Sequence, residues 1–448
     1  MSDTFGLSGD AKAKLLARLS NRAPAQSEER AHPKPTLGRP EVQADLAMVK
    51  RAGEALGIRN PYFRPHEGIS GARAVIDGKT YDNFVSYNYV GLNGDPRVSQ
   101  AAKDAIDLYG TSVSASRIVS GERPIHRDFE HALAEIYQTE DAVALVSGHA
   151  TNVTVIGHLV GRDDLILHDS LSHNSIVQGA LASGAQRIAF PHNDMDELDR
   201  LLGQARGNAQ RALIVVEGHY SMDGDVPDLV RLVAIARAHG AHLMVDEAHS
   251  LGVLGERGHG IAEHAGVDPR DVDIWMGTLS KTLSGCGGYI AGSAELIDYL
   301  KNSAPGFVYS VGLPPPLAAA ALASLRILQA EPERVAQLQA NAKHFLDAAR
   351  GYGLDTGPSI GAAIVPVMTG SSIVAARVAD RLFDLGINVQ PIIYPAVPEQ
   401  AARLRFFLSS LHDTAQLERV AKAVADVMAE VRAERIDLGA LASRLAAE

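Results

Sequence analysis

The run TLSKTLSGCGG places Lys281 after an apolar stretch that ends in Gly, Thr and Ser, with glycines at 285, 287 and 288. Shortly upstream, VDEAHS carries Asp246 at the end of an apolar run and His249 three residues on. A lysine at the mouth of a sheet, in a setting that favours its neutral form, can hold an aldehyde as a Schiff base. A carboxylate at a buried strand end can keep a pyridine nitrogen protonated, so that the ring withdraws electrons. The pair points to pyridoxal 5'-phosphate. Each residue is weak evidence alone: most of the 42 basic residues are solvated charges, and a strand-end aspartate more often caps a helix or binds metal. A metal set of Asp246, His249 and His259 lacks tight ligand spacing.

Further groups follow other apolar runs. His173, in LILHDSLSHNS, offers a flat imidazole that can stack on a cofactor ring and help move protons; the plainer reading is a satisfied loop histidine. Gly148 and His149 follow AVALVS and open a helix, whose first N–H groups suit a phosphate. Thr278 and Ser280 supply hydroxyls for the same phosphate. Ser221, in VVEGHYSMDGD, faces the same space, with Glu217 as a structural acceptor. Arg405, in ARLRFFLSS, is by itself a surface charge on an edge strand; in an enzyme that binds an amino acid it becomes the fork for the carboxylate. Asn88 in SYNYVGL can help hold that group, and Arg117 and His126 in SASRIVSGERPIH are further cleft candidates.

These residues need a scaffold that brings strand ends together. AVALV, LILH, RIAF, ALIVVE, HLMVDE, DIWMG and GYIAG are short and apolar throughout, and helical patterns separate them. Strands buried on both faces read this way. The expected fold is α/β with a mostly parallel central sheet and ligands at the carboxyl ends of its strands. Residues 1–60 read as a helical extension and linker, with helices over Ala11–Leu19 and Val42–Leu56 and a stop at Gly57. Residues 61–96 read as an arm with a hairpin turning at Asp77-Gly78. Residues 97–335 form the large domain and 336–448 a smaller α+β domain. The extension is either loosely packed, an arm over a partner subunit, or a docking element for a carrier protein.

Bulk properties narrow the class. The chain has 448 residues, 46% hydrophobic and 21% charged, ordinary for a globular enzyme of more than one domain. A net charge of -11 gives no general attraction to nucleic acid. Cys286 is the only cysteine, which excludes an intrachain disulfide and a thiolate metal cluster. No run of about 20 apolar residues suggests a membrane span. The first residues lack the apolar core of a signal peptide, so a cytoplasmic location is expected. No G-x-G-x-x-G run follows a first strand, which disfavours a nicotinamide dehydrogenase.

The runs SYNYVGL, SRIVSG to HRDFE, SGHATN, HDSLSHNS, EGHYSMDGD, VDEAHSLGVLGERGHG and GTLSKTLSGCGGYIAG, in this order, resemble the α-oxoamine synthase family of fold-type I pyridoxal-phosphate enzymes over roughly residues 83–412. The resemblance implies that Lys281 bonds the cofactor, Asp246 pairs with its ring nitrogen, His173 stacks on the ring and His249 sits near the phenolic oxygen. Thr278 and the backbone near Gly148 and His149 would hold the phosphate, and Ser310 would reach the phosphate of a neighbouring subunit in a homodimer with active sites at the interface. Arg405 and Asn88 would hold the substrate carboxylate. The implied reaction joins a small amino acid to an acyl thioester, on coenzyme A or an acyl-carrier protein, with loss of CO₂. Two positions depart from the family pattern: His149 stands where an aromatic residue is frequent, and Val311 follows Ser310 where a second hydroxyl is frequent. The SKT and SRI runs place the chain nearer to serine palmitoyltransferases and secondary-metabolite synthases than to the enzyme of biotin synthesis, which favours serine or alanine as donor over glycine. An aminotransferase or aldolase would use the same lysine and aspartate without a thioester, and a silent partner subunit would be expected to lose the lysine.

Overall fold

The computed structural model describes residues 37–434. The expected helix at Ala11–Leu19 lies outside them. A helix does run from Pro40 to Leu56 and stops at Gly57, whose φ of 66° is left-handed. None of its side chains is buried.

The hairpin forms as the sequence predicts. Strands β1 (Arg73–Ile76) and β2 (Lys79–Asn83) pair antiparallel with Ile76 opposite Lys79. Asp77 and Gly78 both take positive φ, 49° and 70°, the geometry that lets a two-residue turn follow the strand twist.

The seven apolar runs become one sheet: β3 (Asp141–Leu145), β4 (Leu165–Asp169), β5 (Gln186–Phe190), β6 (Ala212–Glu217), β7 (His242–Asp246), β8 (Ile274–Thr278) and β9 (Gly288–Gly292). Their order is β3-β9-β8-β7-β6-β4-β5, and only β9 runs against its neighbours. Alternate side chains feed two separate cores. Ile166, Val215 and Met244 face the helices Gly148–Leu159, Asn174–Ser183 and Ala294–Ser303. Leu167, Val216 and Val245 face the opposite layer, which includes Leu229–His239 and Pro315–Ala330. Burial on both faces is why these runs carry no polar alternation. The edge strand β5 is the exception, with Gln186 and Arg187 exposed.

A second sheet follows the long helix Glu333–Gly351. It comprises β10 (Ile364–Met368), β12 (Gln390–Ile392) and β13 (Arg403–Phe407), while the two-residue β11 (Ile387–Asn388) pairs parallel with β2 of the hairpin. The segment read as a separate arm is therefore hydrogen-bonded to the C-terminal part of the chain. Strand β13 lies between β10 and β12, so Arg405 stands on a central strand, not an edge. Among the described residues, no helix is long and apolar enough to cross a membrane.

Candidate active site

The carboxyl ends of β3, β4, β6, β7 and β8 open into one cavity of about 330 Å³. Its walls carry Gly148 and His149 after β3, His173 after β4, Glu217 and Ser221 after β6, Asp246 and His249 after β7, Thr278, Ser280 and Lys281 after β8, and Arg405 from the second sheet. Parallel strands must deliver their following loops to one side, so residues far apart in the chain converge here.

Asp246 is nearly fully buried and is held from two sides. Its Oδ2 accepts from Asn152 Nδ2 at 2.8 Å and its Oδ1 from the Ala248 N–H at 2.9 Å. Asn152 also donates to Ser175 Oγ at 2.9 Å, and its own Oδ1 is buried without a partner. Glu217 accepts from the His173 N–H at 2.6 Å. Burial, with the nearby Asp246 charge, pushes the Glu217 carboxyl up to about 8. Lys281 faces this group of acids. Burial lowers its amine to about 8, against the pull of Asp246 and Glu217, so roughly a tenth is neutral and nucleophilic at pH 7, far more than for an ordinary lysine. Its Nζ lies 5.7 Å from the Tyr87 ring centre.

His249 is fixed from behind. The Tyr89 hydroxyl lies 2.7 Å from its Nδ1. Burial holds the Tyr89 phenol well above its ordinary range, and burial first, then the Lys281 charge, holds the imidazole well below its own. A neutral phenol donating to Nδ1 leaves the proton on Nε2 as a donor toward the cavity. His173 caps the helix Asn174–Ser183, with Nδ1 at 2.7 Å from Ser175 Oγ. Its ring meets that of His149 edge-on at 6.1 Å.

Arg405 Nη1 donates to the Ser221 carbonyl at 3.1 Å and contacts Met222 Sδ at 3.3 Å, while its Nε is buried without a partner. Burial lowers the guanidinium from its ordinary value. A buried guanidinium edge with no acceptor is where a ligand carboxylate gains most.

Pyridoxal phosphate fits this set. A side chain at Gly148 would bring its Cβ to 2.6 Å from Thr278 Oγ1, so glycine keeps open a gap between that hydroxyl and the helix start. Thr278 Oγ1 lies 2.9 Å from Ser280 Oγ, and both accompany the first N–H groups of Gly148–Leu159. Hydroxyls and helix amides suit a phosphate, the held carboxylate of Asp246 suits a ring nitrogen, and Lys281 suits an aldehyde.

Four predicted residues do not line this cavity. Arg117 does not line the cavity; Glu122 (2.6 Å) and Glu130 take its guanidinium. His126 is buried in the cap of the helix Pro124–Tyr137, with Nε2 at 2.7 Å from the Leu313 carbonyl. Asn88 lines an adjoining chamber of about 290 Å³ with Tyr87 and Lys281. Its amide is taken up by Asn93 O, Asn93 N and Ser70 O, which leaves it to shape the wall instead of offering donors. Ser310, just past the helix Pro305–Val308, lines neither chamber of its own chain. Tyr87, Tyr89, Asn152 and Met222 belong to the site and were not singled out by sequence. The first two flank Asn88 in SYNYVGL, and Asn152 closes SGHATN.

A family model described as aminotransferase class I and II matches residues 80–424. An 8-amino-7-oxononanoate synthase of Geobacter sulfurreducens is 44% identical over 393 residues, 87% of this chain and 98% of that protein. Another, from Fervidobacterium nodosum, is 42% identical over 84% of this chain and 94% of its own. Among solved structures, a serine palmitoyltransferase of Sphingomonas wittichii matches with a TM-score of 0.83 at 31% identity, covering 89% of this chain and all of that one. Identity is thus higher to these two oxononanoate synthases than to this palmitoyltransferase, against the leaning drawn from the SKT and SRI runs, whereas a solved 8-amino-7-oxononanoate synthase of Francisella tularensis matches at 26% identity with a TM-score of 0.67.

Proposed function

This chain is a member of the α-oxoamine synthase family of fold-type I pyridoxal-phosphate enzymes, and from that premise we propose that it condenses alanine with a dicarboxylic acyl thioester. Members catalyse decarboxylative condensation of an amino acid with an acyl thioester. The alanine reading comes from the product name of the relatives. In 8-amino-7-oxononanoate, the amino-bearing two-carbon end is what alanine keeps after losing its carboxylate, and the remainder is a heptanedioyl group. The local runs favour serine or alanine, and alanine is taken over serine because the two oxononanoate synthases are more similar in sequence to this chain than the palmitoyltransferase is.

The single observation that supports amino acid binding at this site is the incompletely paired Arg405 guanidinium in the same cavity as Lys281, while the reaction class follows from the family. When bound, the cofactor serves as the electron sink for carbon–hydrogen and carbon–carbon cleavage. The chain does the rest. Lys281 would bond the aldehyde carbon and Asp246 would keep the ring nitrogen protonated, while Asn152 and the Ala248 N–H hold that carboxylate in place. His173 would contact the ring, and His249 would donate from Nε2 to the phenolic oxygen. Thr278, Ser280 and the amides at Gly148 and His149 receive the phosphate. Arg405 grips the amino acid carboxylate through its free edge. With its amine free, Lys281 would be the base for the α-proton, a task suited to a pKa of about 8.

We read the assembly as a homodimer with Ser310 reaching across. In support, Val119 and Tyr309 are strongly exposed and Ile118 and Val311 about half exposed, which leaves an apolar face beside the Arg117 segment. Thioester on coenzyme A is the simpler donor. If the N-terminal extension docks a carrier protein instead, deleting residues 1–55 lowers the rate with carrier-bound acyl groups and spares coenzyme A; equal rates before and after deletion end that idea.

A panel of glycine, alanine and serine against plain and ω-carboxylated acyl thioesters, read by product mass, tests the proposal. The expected product is the amino ketone from alanine and a heptanedioyl thioester. A preference for serine with a long plain chain would return the chain to the palmitoyltransferase reading.

A further inference from the structure

Beside the cavity lies a second concentration of charge, around His192 in the run PHND after β5. Its Nδ1 is 2.9 Å from Asp169 Oδ1 and its Nε2 2.9 Å from Asp225 Oδ2. A neutral imidazole has one N–H and one lone pair, so it can donate to one carboxylate only. Two carboxylates on two ring nitrogens require the doubly protonated ring. Burial opposes that charge, but the bonds to Asp169 and Asp225 outweigh it and raise the group to about 10. The next residue repeats the tie: the Asn193 N–H donates to Asp169 Oδ2 at 2.9 Å and Asn193 Nδ2 to Asp225 Oδ2 at 2.7 Å.

The two carboxylates belong to two walls of the active site. Asp169 ends β4, and its Oδ1 also accepts from the Leu171 N–H at 2.7 Å, which shapes the turn leading to His173. Asp225 closes the loop after β6, where its carbonyl accepts from the Tyr220 N–H at 3.0 Å. Between Tyr220 and Asp225 lie Ser221, whose carbonyl receives Arg405 Nη1, and Met222, whose sulfur touches the same nitrogen.

We propose that His192 is a positioning residue for amino acid binding: as a cation bridging Asp169 and Asp225, it locks the loop over residues 218–225 so that Ser221 and Met222 hold Arg405 with its free edge toward the amino acid carboxylate. His192 does not line the cavity. The inference rests on the reading of Arg405 as the carboxylate fork. Arg403 grips the same loop from the other side, through the Met222 carbonyl at 3.0 Å and Asp223, so loss of the His192 tie loosens the loop without releasing it.

The test uses the holoenzyme. His192→Gln keeps a donor and removes the charge; Asp225→Asn keeps an acceptor for Nε2. For His192→Gln the KM for the amino acid is expected to rise about tenfold, with kcat within about threefold and the thioester KM within about twofold. Asp225→Asn should move the same constant by less. A residue that merely stabilised the fold would lower the melting temperature and leave the split between the two KM values unchanged; that result overturns the proposal. If His192→Gln does not fold, Asp225→Asn decides by the same split. If the wild type turns over none of the donor pairs, the proposed function has failed on its own account, and alanine affinity, followed through the cofactor's absorption, still decides the role of His192: equal affinity in wild type and variants sinks it.

Discussion

Around Arg117 every charge is answered, and around Arg405 it is not. Glu122 and Glu130 take the Arg117 guanidinium; Lys301 at 3.5 Å and Arg127 at 3.4 Å also reach Glu130, and the Ala144 N–H donates to it at 2.9 Å. Arg405 has a carbonyl and a thioether for one nitrogen and nothing for its Nε. Buried polar groups in folded chains are nearly always satisfied, because leaving one unmet costs about 1–3 kcal/mol, and more for a charged group. A region that closes its own hydrogen bonds is complete as it stands. A region that leaves an arginine edge, a lysine lowered to about 8 and an acid, Glu217, pushed up to about 8 is arranged for partners the chain does not supply.

The contrast can be broken in several places. The largest effect is expected from Lys281→Ala, which removes the amine that bonds the cofactor and takes the α-proton; thiol release should fall by about 10⁴-fold or more. Full turnover in that variant would reject the assignment. Arg117→Met should take from buried Glu130 its nearest cation, leaving Lys301 and Arg127 at longer range, and cost about 1–3 kcal/mol, measured by denaturant unfolding, while the amino acid KM of the folded protein stays put. A shifted KM with intact stability would place Arg117 at a site and dissolve the contrast. Arg405→Gln should do the reverse, raising the amino acid KM about 100-fold with little loss of stability.

Smaller effects sharpen the same line. With the Lys281 amine at about 8 instead of its ordinary 10.5, the reactive neutral form grows with pH up to about 8 and then levels. The rate of cofactor uptake by the stripped protein should therefore rise about tenfold per unit below that point and flatten above it. A rise that continues past pH 10 would mean the amine is not desolvated. Tyr89→Phe should lower kcat roughly threefold to tenfold and leave the amino acid KM alone, since it removes only the donor that sets the His249 tautomer.

Much of this site was legible in the sequence because parallel strands buried on both faces read as unbroken apolar runs, and the chemistry sits just after each run. Lys281, Asp246, His249 and His173 were found that way. The internal partners of Arg117 and Asn88 were not legible because they cannot be seen along the chain. Glu130 is thirteen residues away on a helix, and Asn88 is used up by positions 70 and 93. Tyr89 was hidden for the opposite reason: a tyrosine before Val-Gly-Leu reads as core, and it is core, fully buried, with only its hydroxyl turned to a histidine 160 positions on. In the second sheet, β11 and β12 have two and three residues, and Pro391 sits in β12, too little pattern to announce a strand.

The most direct measurement follows the carboxyl carbon and the thiol together. Alanine labelled at its carboxylate is given to the holoenzyme with a heptanedioyl thioester, and labelled CO₂ and free thiol are counted in one reaction. The account predicts equal amounts of both, with the amino ketone as the third product. Thiol release that leaves the label in a carboxylic acid, or conversion of alanine to its oxo acid without thiol release, would contradict it.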